Sequence, residues 1–141
     1  MNFIKRLFTT TPVATKTGIV FIVEDNNAYA QSLSAFIKSD FPQTKEVTVF
    51  PVGETCIAEL DRKPDVIIID YFLDSVYKDA KTGLDIIKQI RSTHPEMNII
   101  VLSIQKDMEV VTESLLAYQC SYINKDEKAF GLVASLLKEI L

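Results

Sequence analysis

Several polar residues in this sequence stand where short apolar runs stop. Ile19–Val23 leads into Glu24 and Asp25, Val66–Ile69 into Asp70, and Ile99–Leu102 into Ser103, while Ser121–Ile123 is followed closely by Lys125. Three carboxylates brought together repel one another, and burial raises their pKa values unless a cation compensates. Oxygen ligands that leave room for water and phosphate favour Mg2+, with Mn2+ as a substitute, and the lack of neighbouring His or Cys argues against zinc. The Lys125 amine and the Ser103 hydroxyl suit the other oxygens of a phosphoryl group carried by a carboxylate. In such chemistry positioning and charge neutralisation do most of the catalysis. Asp70, at the end of the central run, is the expected nucleophile.

For these residues to meet, the runs that carry them must be neighbouring strands. The first, third and fourth runs are rich in Val and Ile without alternation, which suits strands covered on both faces, and Val47–Phe50 supplies a further run. Between the runs lie residues at helical spacing: Leu33, Phe36 and Ile37; Ile57 and Leu60; Ile86, Ile87 and Ile90; Met108, Val111 and Leu115; then Phe130, Val133, Leu137 and Ile140. Pro42, Pro64 and Pro95 each precede a run and would stop a helix there, while Gly53 and Gly83 fall near helix starts. Five strand-helix repeats imply an α/β fold with a doubly wound parallel sheet and right-handed crossovers. In the flavodoxin-like (βα)5 order 2-1-3-4-5, strands one, three, four and five are neighbours, and their carboxyl ends share the functional crevice.

The 141 residues, 48% hydrophobic and 24% charged, fit one domain with a sizeable core. Lys5, Arg6 and Lys16 lie in the first 17 residues, which contain no acid, so all 19 acidic residues fall beyond them. The division expected is a flexible basic leader, 1–17, with a small amphipathic helix over Asn2–Phe8 as an option, and a folded domain, 18–141. An acidic folded part argues against nucleic-acid binding. No apolar stretch suits a signal peptide or a bilayer span, which points to a cytoplasmic protein without membrane insertion. Cys56 and Cys120 fit neither a metal quartet nor a disulfide framework and are expected reduced and buried. His94, before Pro95, reads as a helix-capping or exposed residue.

Taken in order, the stretches IVFIVEDN, PDVIIIDYFLD, TGLDIIKQIR, NIIVLS and CSYINKD resemble the receiver domains of response regulators in two-component signal transduction, from about Gly18 to Leu141. Each stretch is weak alone, and the ordered set is strong. The resemblance implies that Asp70 takes a phosphoryl group from a sensor histidine kinase or a histidine phosphotransfer protein. It implies that Asp25 binds Mg2+ directly, that Glu24 acts mainly through water, and that the backbone carbonyl of Phe72 is a further metal ligand. Ser103 would swing toward the phosphate, Lys125 would pair with it, and Tyr122 would move inward with the hydroxyl. The face formed by the fourth helix, fifth strand and fifth helix would then change, and a downstream protein partner would read it.

Some residues depart from the family pattern. Twelve residues, Tyr71 to Thr82, separate Asp70 from Gly83, so an insertion is expected in that loop, one that gates the site or contacts a partner. Phe72 and Ile104 are larger and more apolar than is usual, which implies slow autodephosphorylation. Asp126 replaces the proline often found after the lysine, so no cis bond is expected there. A dehalogenase-like phosphatase needs a second aspartate where Phe72 stands. A flavodoxin-like cofactor binder needs a phosphate cradle where the acid pair stands. The alternative retained is a pseudo-receiver that binds proteins without phosphorylation. A stand-alone receiver is expected, because the chain ends with the fifth helix.

Overall fold

β-Branched residues, stiff at χ1 and well suited to a pleated surface, build the three inner strands. These are β1 (Ile19–Val23), β3 (Val66–Asp70) and β4 (Ile99–Ser103). Every residue of β3 and β4 is buried, as strands covered on both faces require. The edge strands β2 (Glu46–Phe50) and β5 (Ser121–Asn124) are partly exposed. The computed structural model describes residues 15–71, 82–104 and 116–141. Its five strands pair in parallel in the expected order 2-1-3-4-5. The strand ends revise the sequence reading by a residue: Asp70 and Ser103 are the last residues of their strands, Glu46 joins β2, and β5 extends to Asn124.

Alternation along the strands divides the core into two layers. Val20, Ile22, Val66, Ile68, Ile100 and Leu102 pack with α1 (Asn27–Asp40) and the C-terminal helix Ala129–Ile140. Phe21, Val23, Ile67, Ile69, Ile99 and Val101 pack with α2 (Gly53–Ala58) and α3 (Gly83–Thr93). A short 3-10 turn, Leu60–Arg62, follows α2, so the second helical segment is shorter than its sequence spacing suggests. The helical segment expected around Met108, Val111 and Leu115, and most of the loop after β3, lie outside the described residues.

Helix ends follow their local chemistry. Asn26 caps α1 by accepting the Tyr29 N–H at 3.0 Å. Thr82 caps α3 by accepting the Asp85 N–H at 3.3 Å, and its hydroxyl donates to the Asp85 carboxylate at 2.9 Å. His94 is the C-cap residue of α3, with its Nδ1 2.8 Å from the Thr93 hydroxyl. Arg91 donates to the carbonyls of Met97 at 2.6 Å, Tyr118 at 2.8 Å and Gln119 at 3.3 Å, which ties α3 to the chain entering β5. Cys56 is buried, and burial pushes its thiol up to about 12. Cys120 is half-buried rather than buried, because it precedes an edge strand, and burial still pushes its thiol up to about 11. Both are free thiols. Thr17, the last residue of the expected leader, already bonds Asp65 through its N–H at 2.9 Å and the Lys63 carbonyl through its hydroxyl at 2.8 Å. No helix among the described residues is long and apolar enough to cross a membrane.

Gly83 begins α3 against the backbone next to Asp70. A Cβ at Gly83 would lie 2.5 Å from the Tyr71 carbonyl oxygen and 2.7 Å from its Cα, neither of which can swing aside. A Cβ at Gly131, in the C-terminal helix, meets nothing within 4 Å. Gly83→Ala is therefore expected to cost about 1–3 kcal/mol through overpacking. Gly131→Ala is expected to gain about 0.5–1 kcal/mol from helix propensity. Urea denaturation of the two variants checks the opposite signs.

Candidate functional site

The sheet order places the chemistry at one edge of the fold. Val23 pairs with Ile69, so Glu24 and Asp70, the next residues of each chain, are adjacent. Asp70 pairs with Leu102, which precedes Ser103, and Ser103 pairs with Asn124, which precedes Lys125. Backbone bonds continue the ladders past the strands: Glu24 N–H donates to the Phe50 carbonyl at 3.0 Å and Lys125 N–H to the Ser103 carbonyl at 2.8 Å. Each functional side chain thus leaves a fixed backbone rather than a free loop.

Glu24, Asp25 and Asp70 each offer a carboxylate oxygen within 4.8 Å of the others. Glu24 and Asp70 are buried, and Asp25 is half-buried. Lys125 reaches into this group, with Nζ 2.5 Å from Glu24 Oε1 and 3.3 Å from Asp70 Oδ2. Burial, then the hydrogen bond with Glu24 and its charge, push the Asp70 carboxyl up to about 7, against the pull of Lys125. Burial disfavours the Lys125 ammonium, but its bonds to Glu24 and Asp70 and their charges prevail and raise its pKa above the usual lysine value. Among the described residues, the Lys125 ammonium is thus shared between two of the three carboxylates.

Ser103 is fully buried, and its Oγ has no hydrogen-bond partner among the described residues. A buried hydroxyl without a partner is costly, so it stands ready for an acceptor that arrives with a ligand. Tyr122 is half-buried in the layer under α3, and its hydroxyl donates to Asn124 Oδ1 at 2.6 Å, two residues along the same strand face. Phe72 lies outside the described residues, as does the rest of the 71–82 loop between Tyr71 and Thr82. Ile104 is described and is half exposed. A cavity of about 340 Å3 opens at the opposite end of the sheet, among Thr17, Pro64, His94 and Met97. It lies at the amino ends of the strands, away from the crevice where open α/β sheets place ligands.

Sequence spacing did not reveal the bond between Lys125 and Glu24, nor the place of Tyr29, whose ring lies 4.3 Å from the Lys125 ammonium. The cap residue Asn26 was the available signal, because it sets the helix start and thereby puts Tyr29 in the turn beside the acid pair.

The family model of the response regulator receiver domain matches residues 20–137. The chain belongs to the response regulator receiver family. Among solved structures, the receiver domain of NtrX from Brucella abortus is 20% identical with a TM-score of 0.72, over 86% of this chain and 99% of that one. The signal receiver domain of a DNA-binding response regulator from Colwellia psychrerythraea 34H is 20% identical with a TM-score of 0.69, over 86% and 95%. The response regulator DrrB of Thermotoga maritima is 20% identical with a TM-score of 0.68, and the match spans 86% of this chain but about half (51%) of DrrB. At that identity these structures share the fold. No curated protein sequence matches the chain.

Receivers of this family are phosphorylated on aspartate and bind Mg2+ at an acidic pocket. The residues of this receiver fit such an ion: its donors are hard oxygens, and they converge.

A stability test follows from Asp70. Its folded pKa, about 7, lies above the ordinary 3.8, so the folded chain holds this proton more tightly than the unfolded chain. Stability is therefore lost as pH rises between those values and is least above them. In EDTA, Asp70→Asn is expected to be more stable than wild type by about 1–3 kcal/mol at pH 8. The gain should shrink as pH is lowered toward 4. Urea denaturation across that range checks it, and a gain that does not vary with pH contradicts it.

Proposed function

We propose that this receiver is a phosphorylation switch whose acceptor is Asp70, with a sensor histidine kinase or a histidine phosphotransfer protein as donor. The observation that carries the reading is Lys125, held between the buried Glu24 and Asp70 of a group of three carboxylates. An Asp70 carboxylate oxygen attacks phosphorus, the new O–P bond forms as the donor's P–N bond breaks, and the imidazole leaves. Lys125 shifts from Glu24 to a phosphoryl oxygen and offsets its charge. The Ser103 hydroxyl donates to another oxygen and so gains the partner it lacks. Asp25, Asp70, the Phe72 carbonyl and, less directly, Glu24 would hold Mg2+, which would supply charge neutralisation at the transferring group. Mn2+ has the same ligand preferences and substitutes for it.

The movement of Ser103 vacates space that Tyr122 enters, after its hydroxyl leaves Asn124. The face of the fourth helix, fifth strand and fifth helix changes, and a downstream protein reads it. We assign the receiver to 18–141 and a basic leader to 1–17, joined to the domain through Thr17, in a cytoplasmic setting.

Incubation with acetyl phosphate and Mg2+, followed by intact mass spectrometry, tests the acceptor. The wild type should gain one phosphoryl mass, and Asp70→Asn should gain none. No gain in the wild type would overturn the reading in favour of a pseudo-receiver that binds partners without phosphorylation. The exposed bulk of Ile104 beside the site hinders the attacking water, so the phosphorylated form should last minutes or longer after the donor is removed. Ile104→Asn should shorten that lifetime several-fold, and a wild-type half-life of seconds would contradict the argument.

A further inference from the structure

Tyr29 has no role in the chemistry described so far, yet its ring lies against the Lys125 ammonium that takes part in it. It sits in the first turn of α1, where the Asn26 side chain holds its backbone N–H. The Lys125 ammonium lies 4.3 Å from the centroid of its ring. The ring is braced from the far side of this layer by Phe130 of the C-terminal helix, with centroids 5.6 Å apart and planes at 76°, and Phe130 packs in turn on Phe36 at 5.2 Å. The hydroxyl of Tyr29 is buried and has no hydrogen-bond partner among the described residues. A phenol that forgoes its hydrogen bond while its ring meets a cation is placed there for the ring.

Lys125 has a flexible four-carbon stem and two anionic partners at unequal distance, Glu24 at 2.5 Å and Asp70 at 3.3 Å. Phosphoryl transfer needs the ammonium to give up the nearer one. A hydrogen-bonding neighbour would fix one geometry, whereas a π face attracts an ammonium over a broad area with little directional demand. Such a surface keeps the amine close to the site while leaving it free to change partners.

We propose that Tyr29 is a positioning residue for phosphoryl transfer, its ring face holding the Lys125 ammonium between Glu24 and the phosphoryl group on Asp70. This rests on the phosphoacceptor reading of the site.

The test compares the full chain with Tyr29→Phe, which keeps the ring, and with Tyr29→Leu and Tyr29→Met, which keep apolar volume without it. Two measurements are made on each: the rate of Asp70 phosphorylation by acetyl phosphate with Mg2+, and the rate at which Lys125 is acylated by an amine-selective ester without any phosphodonor. Tyr29→Phe should match the wild type in both. Tyr29→Leu and Tyr29→Met should lose about tenfold in the phosphorylation rate constant at saturating donor, with the donor KM unchanged. In both, Lys125 should be acylated several-fold faster. Wild-type phosphorylation rates in the Leu and Met variants would overturn the proposal, as would a Phe variant as slow as they are. Should the wild type take no phosphoryl group, the phosphoacceptor reading fails by itself. The acylation rates still decide the ring's part, and equal rates in the wild type and the ringless variants would overturn it.

Discussion

The crowding of three carboxylates, two of them buried, beside the Lys125 ammonium constrains everything else in this receiver. Charges removed from water are tolerated only when partners are supplied in fixed geometry. Here Lys125 comes from the last strand and Glu24 from the first, so their bond closes the site across the middle of the sheet. Burial, with the Glu24 carboxylate beside it, pushes the Asp70 carboxyl up to about 7 despite Lys125. A group held in that condition favours whatever brings positive charge, and the hard oxygen donors around it select a cation such as Mg2+.

The fold supplies the fixed geometry. Parallel pairing puts all the strand ends at one edge, and the hydrogen-bond ladders run on past the strands to Glu24 and Lys125. Beneath them the inner strands are buried on both faces, so their ends have little freedom to move. Movement is confined to side chains with choices: Lys125 between two acids, Ser103 whose hydroxyl has no partner among the described residues, and Tyr122, whose hydroxyl donates to Asn124. A rigid frame carrying a few bistable side chains is what a switch requires.

Much of this was legible in the sequence because it depends on short-range patterns. Unalternating Val and Ile marked β1, β3 and β4, and prolines marked helix ends, so the strand order and the meeting of Glu24, Asp25, Asp70 and Lys125 followed. Contacts between side chains distant in sequence did not follow. The bond from Lys125 to Glu24 spans 101 positions, and nothing local states whether the amine rests nearer Glu24 or Asp70. No local pattern puts the Tyr29 ring against Lys125 or Arg91 against the Tyr118 carbonyl, because those partners lie far along the chain. Cys120 read as core by residue type, but an edge strand leaves its neighbours half covered.

Calorimetric titration of the chain with Mg2+, in two buffers of different ionisation enthalpy, tests the crowding of carboxylates around Asp70 most directly, because it counts protons as well as ions. Asp70 with a pKa of about 7 is partly protonated at pH 6.5, and a cation at its carboxylate must displace that proton. The account predicts one binding site, with a substantial fraction of a proton released per ion at pH 6.5 and little at pH 8.5. Absence of binding, or binding with the same proton release at both pH values, would contradict it.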